Sequence, residues 1–574
     1  MTHDSNKSLQ AIFRARLEKD PEGNALTFFN PDGTYTWRTF REFHETGARY
    51  GSILSENGLS RGNVCVFMLP SDEISANALF GSLLIGALPL MVAPPVVRGL
   101  HSNLKDVLEH VVSTTSARLV VLEDDEKDLG EALQKSHPET CVLYISAFQK
   151  GGDPASAPLA FPESDDLAAL QLTSGTTGFP RVCVWDQNAV LKTLDGMELA
   201  MNLGKDDVCV NWTPLYHDMG LINNFMLCMV KGIPLVMLET INFLKKPVLW
   251  LQALSATGAT VTWSPNFGYT FTAQRVRDHH LKDIDLGKIK AFWNAAERIH
   301  LDTILAFQKK FEDFGVKLSA MKTNFGCAEN VGGATFSDPE GNFVVEHVNK
   351  HRLFDEGIAA HQTGTNGGAD TVAIVGVGRP YPGMSIQIQD SDCNPLPDGH
   401  VGEIALDTPS RMKGYLGNEE DTKYAIRGKY LHTGDYGYMR GKEVFWTGRV
   451  RERINLHGKK FDPSDFESVL VQIDGLRPGC FAAFGIDDEK IGTQRLVIVS
   501  EVRDSNDRPL GTVMDDVREQ VATHIGIKVD EVLLLSQGTM TKTSSGKRRH
   551  RFYRELYLDG GLAALAEQNQ QGSI

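Results

Sequence analysis

The ten residues LTSGTTGFPR, from Leu172 to Arg181, hold six consecutive hydroxyl or glycine residues between Thr173 and Gly178. Such a run suits neither a helix nor a strand interior, so it reads as a loop. Its hydroxyls and unshadowed N–H groups could wrap a polyphosphate, with Arg181 adding positive charge; a plain surface turn is the alternative. The Walker A pattern is not met, and the following RVCVW reads as a strand rather than a helix.

Other segments also gather charge chemistry. PLYHDMG sets His217 beside Asp218. The pair could be an acid–base dyad or a substrate orienter, or His217 a satisfied core residue, and adjacent side chains usually point apart. NFGCAEN offers Glu329 to a hard cation such as Mg²⁺, with an exposed glutamate as the plainer reading. HTGDYGY puts Asp435 in a turn, and TGRVRERINLHGKK supplies Arg449, Arg451 and Arg453 in alternation. On a strand these arginines would share one face, solvated or converging with Asp435 on ribose hydroxyls. KTSSGKRRHRFYR packs Lys542, Lys547, Arg548, Arg549, Arg551 and Arg554 together, either as a solvated basic patch or to present Lys547 on a turn. GLSRG, from Gly58 to Gly62, matches the nucleophile-elbow pattern, but a helix-like segment precedes it and a strand follows. Gly58 is therefore read as a helix cap.

The elements that must position these groups alternate. VCVFML, LVVLE, DVCVNW, IPLVML and ATVTW read as buried strands, with NAVLKTLDGMELAMNL and LDTILAFQKKFEDFG as helices, which predicts a largely parallel covered sheet. After about Asp370, TVAIVGVG, SIQIQD and GEIALD predict a small antiparallel barrel or sheet. The last part returns to α+β: FESVLVQI helical, LVIVSEV a strand, VMDDVREQVATHIG helical.

A chain of 574 residues exceeds one core, so two or more domains are expected. Its formal net charge of −15 argues against wholesale binding to nucleic acid, though a pocket can still be locally positive. The eight cysteines include no C-x-x-C pair, which disfavours a disulfide framework and structural zinc. The N-terminus carries no signal-peptide pattern. ALFGSLLIGALPLMVAPPVV, from Ala78, is apolar enough to span a bilayer, but Pro89, Pro94 and Pro95 divide it. No membrane span and a cytoplasmic location are expected.

Taken in order, LTSGTTGFPR, PLYHDMG, AAE, NFGCAE, HTGD, TGRVRE and SSGK resemble the successive motifs of the adenylate-forming superfamily (acyl-CoA synthetases, peptide-synthetase adenylation domains, firefly luciferase) over nearly the whole chain. NWTPLYHDMGLI, FLKKPVLWLQALSATGATVTWSPNFGY, GLRPGC, KTSSGK and an extra segment at about 334–373 are most similar to its fatty acyl-AMP ligase branch. The resemblance implies a multidomain α/β fold. Residues 1–448 would form an adenylation domain of layered α/β sheets with a β-barrel-like subdomain at about 374–448, and 449–574 a small mobile α+β lid. The implied reaction uses ATP and Mg²⁺ to convert a fatty or related carboxylic acid to acyl-AMP. The acyl group then passes to the phosphopantetheine thiol of an acyl carrier protein. A CoA acceptor and a non-catalytic nucleotide-binding homologue are the alternatives.

Carried over by position, Thr173, Ser174, Gly175, Thr176, Thr177, Gly178 and Arg181 would grip the phosphates, with Thr176 sharing Mg²⁺ with Glu329. Ala295, Ala296, Glu297, Asn324, Phe325 and Gly326 would surround adenine, and Asp435 and Arg449 would hold the ribose. His217, Asp218, Met219 and Gly220 would border the acid, with His217 gating the acyl tunnel. Lys547 would bridge the carboxylate and the α-phosphate, and Arg451 would be the interdomain hinge. In fatty acyl-AMP ligases the extra segment restrains the lid and disfavours transfer to CoA. The chain departs from the family at Arg181–Val182 (usually Lys-Gly), at Phe325 (usually Tyr), at Arg451 (usually Lys or Asp) and in VWDQNAV, where a serine–histidine start is usual.

Overall fold

The computed structural model describes residues 8–95, 104–149, 151–173, 180–362, 371–449, 452–456, 459–488, 493–542 and 548–571. Two large sheets share the main core. The nine-stranded sheet runs in the order Arg379–Pro380, Gly332–Phe336, Met321–Cys327, Ala291–Ala295, Val261–Pro265, Cys209–Asn211, Leu235–Met237, Asn24–Phe28, Arg38–Thr39. Its six strands from Met321–Cys327 to Asn24–Phe28 are parallel, and the edges are antiparallel. The seven-stranded sheet has five parallel strands, Leu167–Leu172, Leu88–Val92, Val64–Met68, Leu119–Leu122 and Cys141–Tyr144, with Val182–Asp186 and Gly414–Tyr415 antiparallel at one edge. Continuous apolar runs such as VCVFM, buried at every position, are what a sheet covered on both faces requires.

The apolar stretch from Ala78 is a buried unit: the end of helix Glu73–Leu84, then strand Leu88–Val92. Among the described residues no helix is long and apolar enough to cross a membrane. Helix Phe40–Glu56 ends before Gly58, whose φ of +88° closes it, and strand Val64–Met68 follows, so Ser60 sits on no elbow.

After residue 370 a five-stranded antiparallel sheet is built from Ser385–Gln389, Gly402–Asp407, Ile426–Arg427, Tyr430–Arg440 and Glu443–Arg449. The extra segment is displaced from its expected start. Ala334 is fully buried in strand Gly332–Phe336 of the nine-stranded sheet, because its neighbours complete an antiparallel pairing with Met321–Cys327. What protrudes begins after Phe336: strands Val345–Asn349 and Thr371–Val375, paired together, and helix Lys350–Glu356.

From Ile454 onward the chain packs a core of its own on both faces of a three-stranded sheet, Leu476–Asp488, Thr493–Val502 and Glu531–Leu535. The protruding segment touches it. Phe354 lies 5.1 Å from Phe461, Lys459 reaches Asp355 at 3.6 Å, and Lys350 donates to the His524 carbonyl at 3.2 Å.

Part of the basic run at the end of the chain is tied to the fold, and part pairs at the surface. Arg548 pairs with the buried Glu467 at 3.0 Å, and Arg554 with Asp487 at 2.9 Å. Arg551 meets Glu555 at 2.7 Å, and Arg549 lies over Phe552. His550 sits 2.6 Å from Glu467 and 3.3 Å from Glu452. Burial opposes its charge, but the two carboxylates hold it, raising its pKa from 6.5 to about 10. A raised histidine pKa gives stability that is complete below about pH 6.5 and is lost as pH rises towards 10. Thermal melts of the wild type should fall across that window. His550→Gln should cost about 3 kcal/mol and flatten the slope. A mutant retaining the wild-type pH slope would contradict this reading.

Candidate active site

Parallel strands present their carboxyl ends to a common crevice, the usual place for a ligand in α/β sheets. Here both sheets do so. Thr173 follows Leu167–Leu172, Trp212 follows Cys209–Asn211, and Ala296 follows Ala291–Ala295. Phe325 and Gly326 close Met321–Cys327. All of them line one cavity of about 1870 Å³, which extends to the C-terminal core.

The loop LTSGTTGFPR is closed at its base by Thr173 and Arg181. The Thr173 N–H donates to the Arg181 carbonyl (2.9 Å), and the Arg181 N–H donates to Thr173 Oγ1 (3.1 Å). The loop joins two antiparallel strands, Leu167–Leu172 and Val182–Asp186, unlike a Walker A loop, which leads into a helix. Ser174, Gly175, Thr176, Thr177 and Gly178 lie outside the described residues, as do Arg451 and Lys547.

Glu329, in the turn Ala328–Asn330, is not the exposed glutamate of its plainer reading: its side chain is 13% exposed. Tyr415 donates its hydroxyl to Glu329 Oε1 at 2.6 Å, and Arg181 lies 3.6 Å from the same oxygen. Arg181 also lies 3.5 Å from Asp421 and stacks over the Tyr415 ring at 4.1 Å. Sequence reasoning missed Tyr415 and Asp421. Glu329 and Tyr415 are 86 residues apart, and the local signal at Tyr415 is only a Gly-Tyr pair.

On the opposite wall, Ala296 has φ +72°, a left-handed conformation that costs a non-glycine residue about 1 kcal/mol. Strain of this kind clusters at functional positions. Glu297 Oε1 accepts the Phe267 N–H at 2.6 Å, capping helix Asn266–Arg275. The Asn324 amide donates to the Thr335 carbonyl (2.7 Å) and the Phe325 carbonyl (3.1 Å), so it braces the sheet edge beside Phe325. A Cβ at Gly326 would come within 2.4 Å of the Gly332 carbonyl, so only glycine permits that strand approach.

Asp435 and Arg449 face each other across the paired strands Tyr430–Arg440 and Glu443–Arg449. Asp435 Oδ1 accepts from Trp446 Nε1 at 3.0 Å and lies 3.4 Å from Arg449 Nε. Asp435 is 5% exposed. Burial disfavours the Arg449 charge, but Asp435 and Glu452 more than restore it, so its pKa is raised. Of the alternating arginines, Arg449 and Arg453 lie among the described residues. The strand ends at Arg449, and Arg453 turns away to stack on Tyr436 at 4.2 Å.

His217 and Asp218 do not point apart as neighbours usually do. His217 caps the short helix Asp218–Gly220, which brings Nδ1 to 2.8 Å from Asp218 Oδ1 while both accept from the Met219 N–H. His217, Asp218 and Met219 line the cavity; Gly220 does not. It packs against the Pro214 carbonyl, which a Cβ would meet at 2.1 Å.

One cavity thus carries the base of the hydroxyl–glycine loop, an acidic group in its wall and a buried Asp–Arg pair. Residues 13–416 match the AMP-binding enzyme family, and the chain belongs to it. It is 27% identical over 553 residues to a medium-chain-fatty-acid–acyl-carrier-protein ligase of Moorena producens, covering 91% of this chain and 90% of that one. It is 26% identical over 598 residues to a long-chain-fatty-acid–AMP ligase of Mycobacterium tuberculosis, covering 98% and 100%. A solved structure from studies of fatty acyl-adenylate ligases of E. coli and L. pneumophila has a TM-score of 0.88 at 23% identity, covering 97% and 98%, a likeness of fold.

Proposed function

We propose that this ATP-dependent adenylate-forming ligase activates a fatty acid as acyl-AMP and then gives the acyl group to the thiol of an acyl carrier protein. One observation carries the reading: Glu329 and the Asp435–Arg449 pair line the same cavity that the base of the hydroxyl–glycine loop closes. A nucleotide could then lie with its phosphates at the loop, its ribose at Asp435 and Arg449, and its base between Ala296 and Phe325.

The chemical problem is charge. A carboxylate oxygen attacking the α-phosphorus brings two anions together, and pyrophosphate leaves with more negative charge. Lys547 would neutralise the attacking and α-phosphate oxygens, while loop N–H groups and Arg181 hold the departing phosphates. Glu329 suits Mg²⁺, a hard cation often held by one or two carboxylates plus substrate phosphates, and Mg²⁺ would offset phosphate charge.

The fatty acid assignment draws on the named relatives and on Trp212, Tyr216, Leu244, Phe267 and Phe271, which give the far wall of the cavity an apolar surface. Trapping adenylates with hydroxylamine across acids of graded length tests it. Turnover of short polar acids in preference to fatty acids would overturn the assignment.

Preference for a carrier protein over CoA draws on the contacts between Lys350–Glu356 and residues 459–524. We read the part beyond Arg449 as a lid that these contacts restrain. The Phe354–Phe461 pair is worth roughly 0.5–1.5 kcal/mol, so Phe354→Ala should raise acyl-CoA formation by about two- to tenfold with acyl-AMP formation intact. Thioester analysis by mass spectrometry reads this out, and an unchanged CoA yield would count against the restraint.

A further inference from the structure

The loop's last residue is an arginine whose side chain turns to the acidic wall. The Arg181 backbone closes the loop against Thr173, while its guanidinium lies over the Tyr415 ring and reaches towards Glu329 and Asp421. Three features make this contact exchangeable. At 3.6 Å the Arg181–Glu329 approach is attraction without a short hydrogen bond. The short bond to Glu329 comes instead from Tyr415, at 2.6 Å, and would persist if Arg181 left. Asp421 is held independently by Asn418, at 3.1 Å, and so remains as an anchor.

A carboxylate at 13% exposure needs a counter-charge, yet the cation that Glu329 suits is brought largely by the nucleotide. We propose that Arg181 is an exchangeable counter-ion: it neutralises Glu329 while the site is empty and, when a divalent cation takes that carboxylate, pivots on Tyr415 and Asp421 towards the phosphates. The inference rests on the adenylation reading above. Lysine would do the same only in part, keeping the charge but lacking the planar face that stacks on tyrosine and the fork that spans two carboxylates. The arginine that departs from the family pattern is thereby given a task of its own.

The consequence is a pair of effects of opposite sign. Removing the guanidinium frees Glu329 for metal and deprives the phosphates of a cation. With full-length Arg181→Gln, Mn²⁺ alone, followed by water-proton relaxation without nucleotide, should bind roughly fivefold more tightly. ATP with saturating Mg²⁺, followed by calorimetry, should bind roughly tenfold more weakly. Mn²⁺ binding that is unchanged or weaker overturns the proposal. Arg181→Lys, which keeps the charge, gives the test if the glutamine variant does not fold. Its Mn²⁺ affinity should stay within about twofold of wild type, and its loss of ATP affinity should be smaller than roughly tenfold. A tenfold or greater ATP loss in the lysine variant would equally overturn it. Wild-type protein that binds no ATP would sink the adenylation reading itself, whereas a wrong-signed Mn²⁺ response with normal ATP binding would sink only this one.

Discussion

Replacing Lys547 by alanine is expected to lower acid-dependent ATP–pyrophosphate exchange by ~10²–10³ while leaving the melting profile unchanged. The size follows from the charge problem: one ammonium close to both reacting anions acts where charge develops, so its loss raises the barrier without weakening the ground state equally. The fold should survive because the anchors of this segment are the neighbours of Lys547. Arg548 and His550 bind Glu467, and Arg554 donates to the Gly485 carbonyl at 3.0 Å. ATP affinity should change far less than turnover. Exchange at the wild-type rate by a folded Lys547→Ala protein would remove Lys547 from the chemistry.

The second large effect is expected at Asp435. Asp435→Asn leaves the Trp446 contact possible but strips Arg449 of the carboxylate that does most to stabilise its charge. Breaking a buried pair from one side costs roughly 3 kcal/mol or more, and two ribose hydroxyls would lose an ionic acceptor. The KM for ATP should rise by about 10²-fold, with the KM for the acid within about threefold of wild type. Equal rises in both constants would place Asp435 outside the nucleotide's reach.

The sheets were legible in the sequence because strands covered on both faces leave continuous apolar runs, and VCVFM and VTWSP are buried throughout. The loop at Thr173 was legible because six small residues in a row admit little else. What was not legible depends on distant partners. Arg181 meets Asp421 across 240 residues, and His550 meets Glu467 across 83. The segment KTSSGKRRHRFYR therefore looked like a solvated patch, although Arg548 and His550 in it pair with the buried Glu467. His217 and Asp218 misled for a local reason. The rule that neighbours diverge assumes regular backbone, and a histidine capping a single helical turn escapes it. The start of the extra segment misled because Gly332–Phe336, short and glycine-rich, carries no clear strand pattern of its own, and its antiparallel pairing assigns it to the sheet.

The central claim is that a carboxylate oxygen of the acid attacks the α-phosphorus of ATP. Purified protein given ATP, Mg²⁺, carrier protein and a fatty acid labelled with ¹⁸O in its carboxylate tests this by mass spectrometry of the released nucleotide. The account predicts AMP carrying one ¹⁸O atom, left on the phosphate when the thiol takes the acyl group. Release of ADP, or of AMP without label, would contradict it.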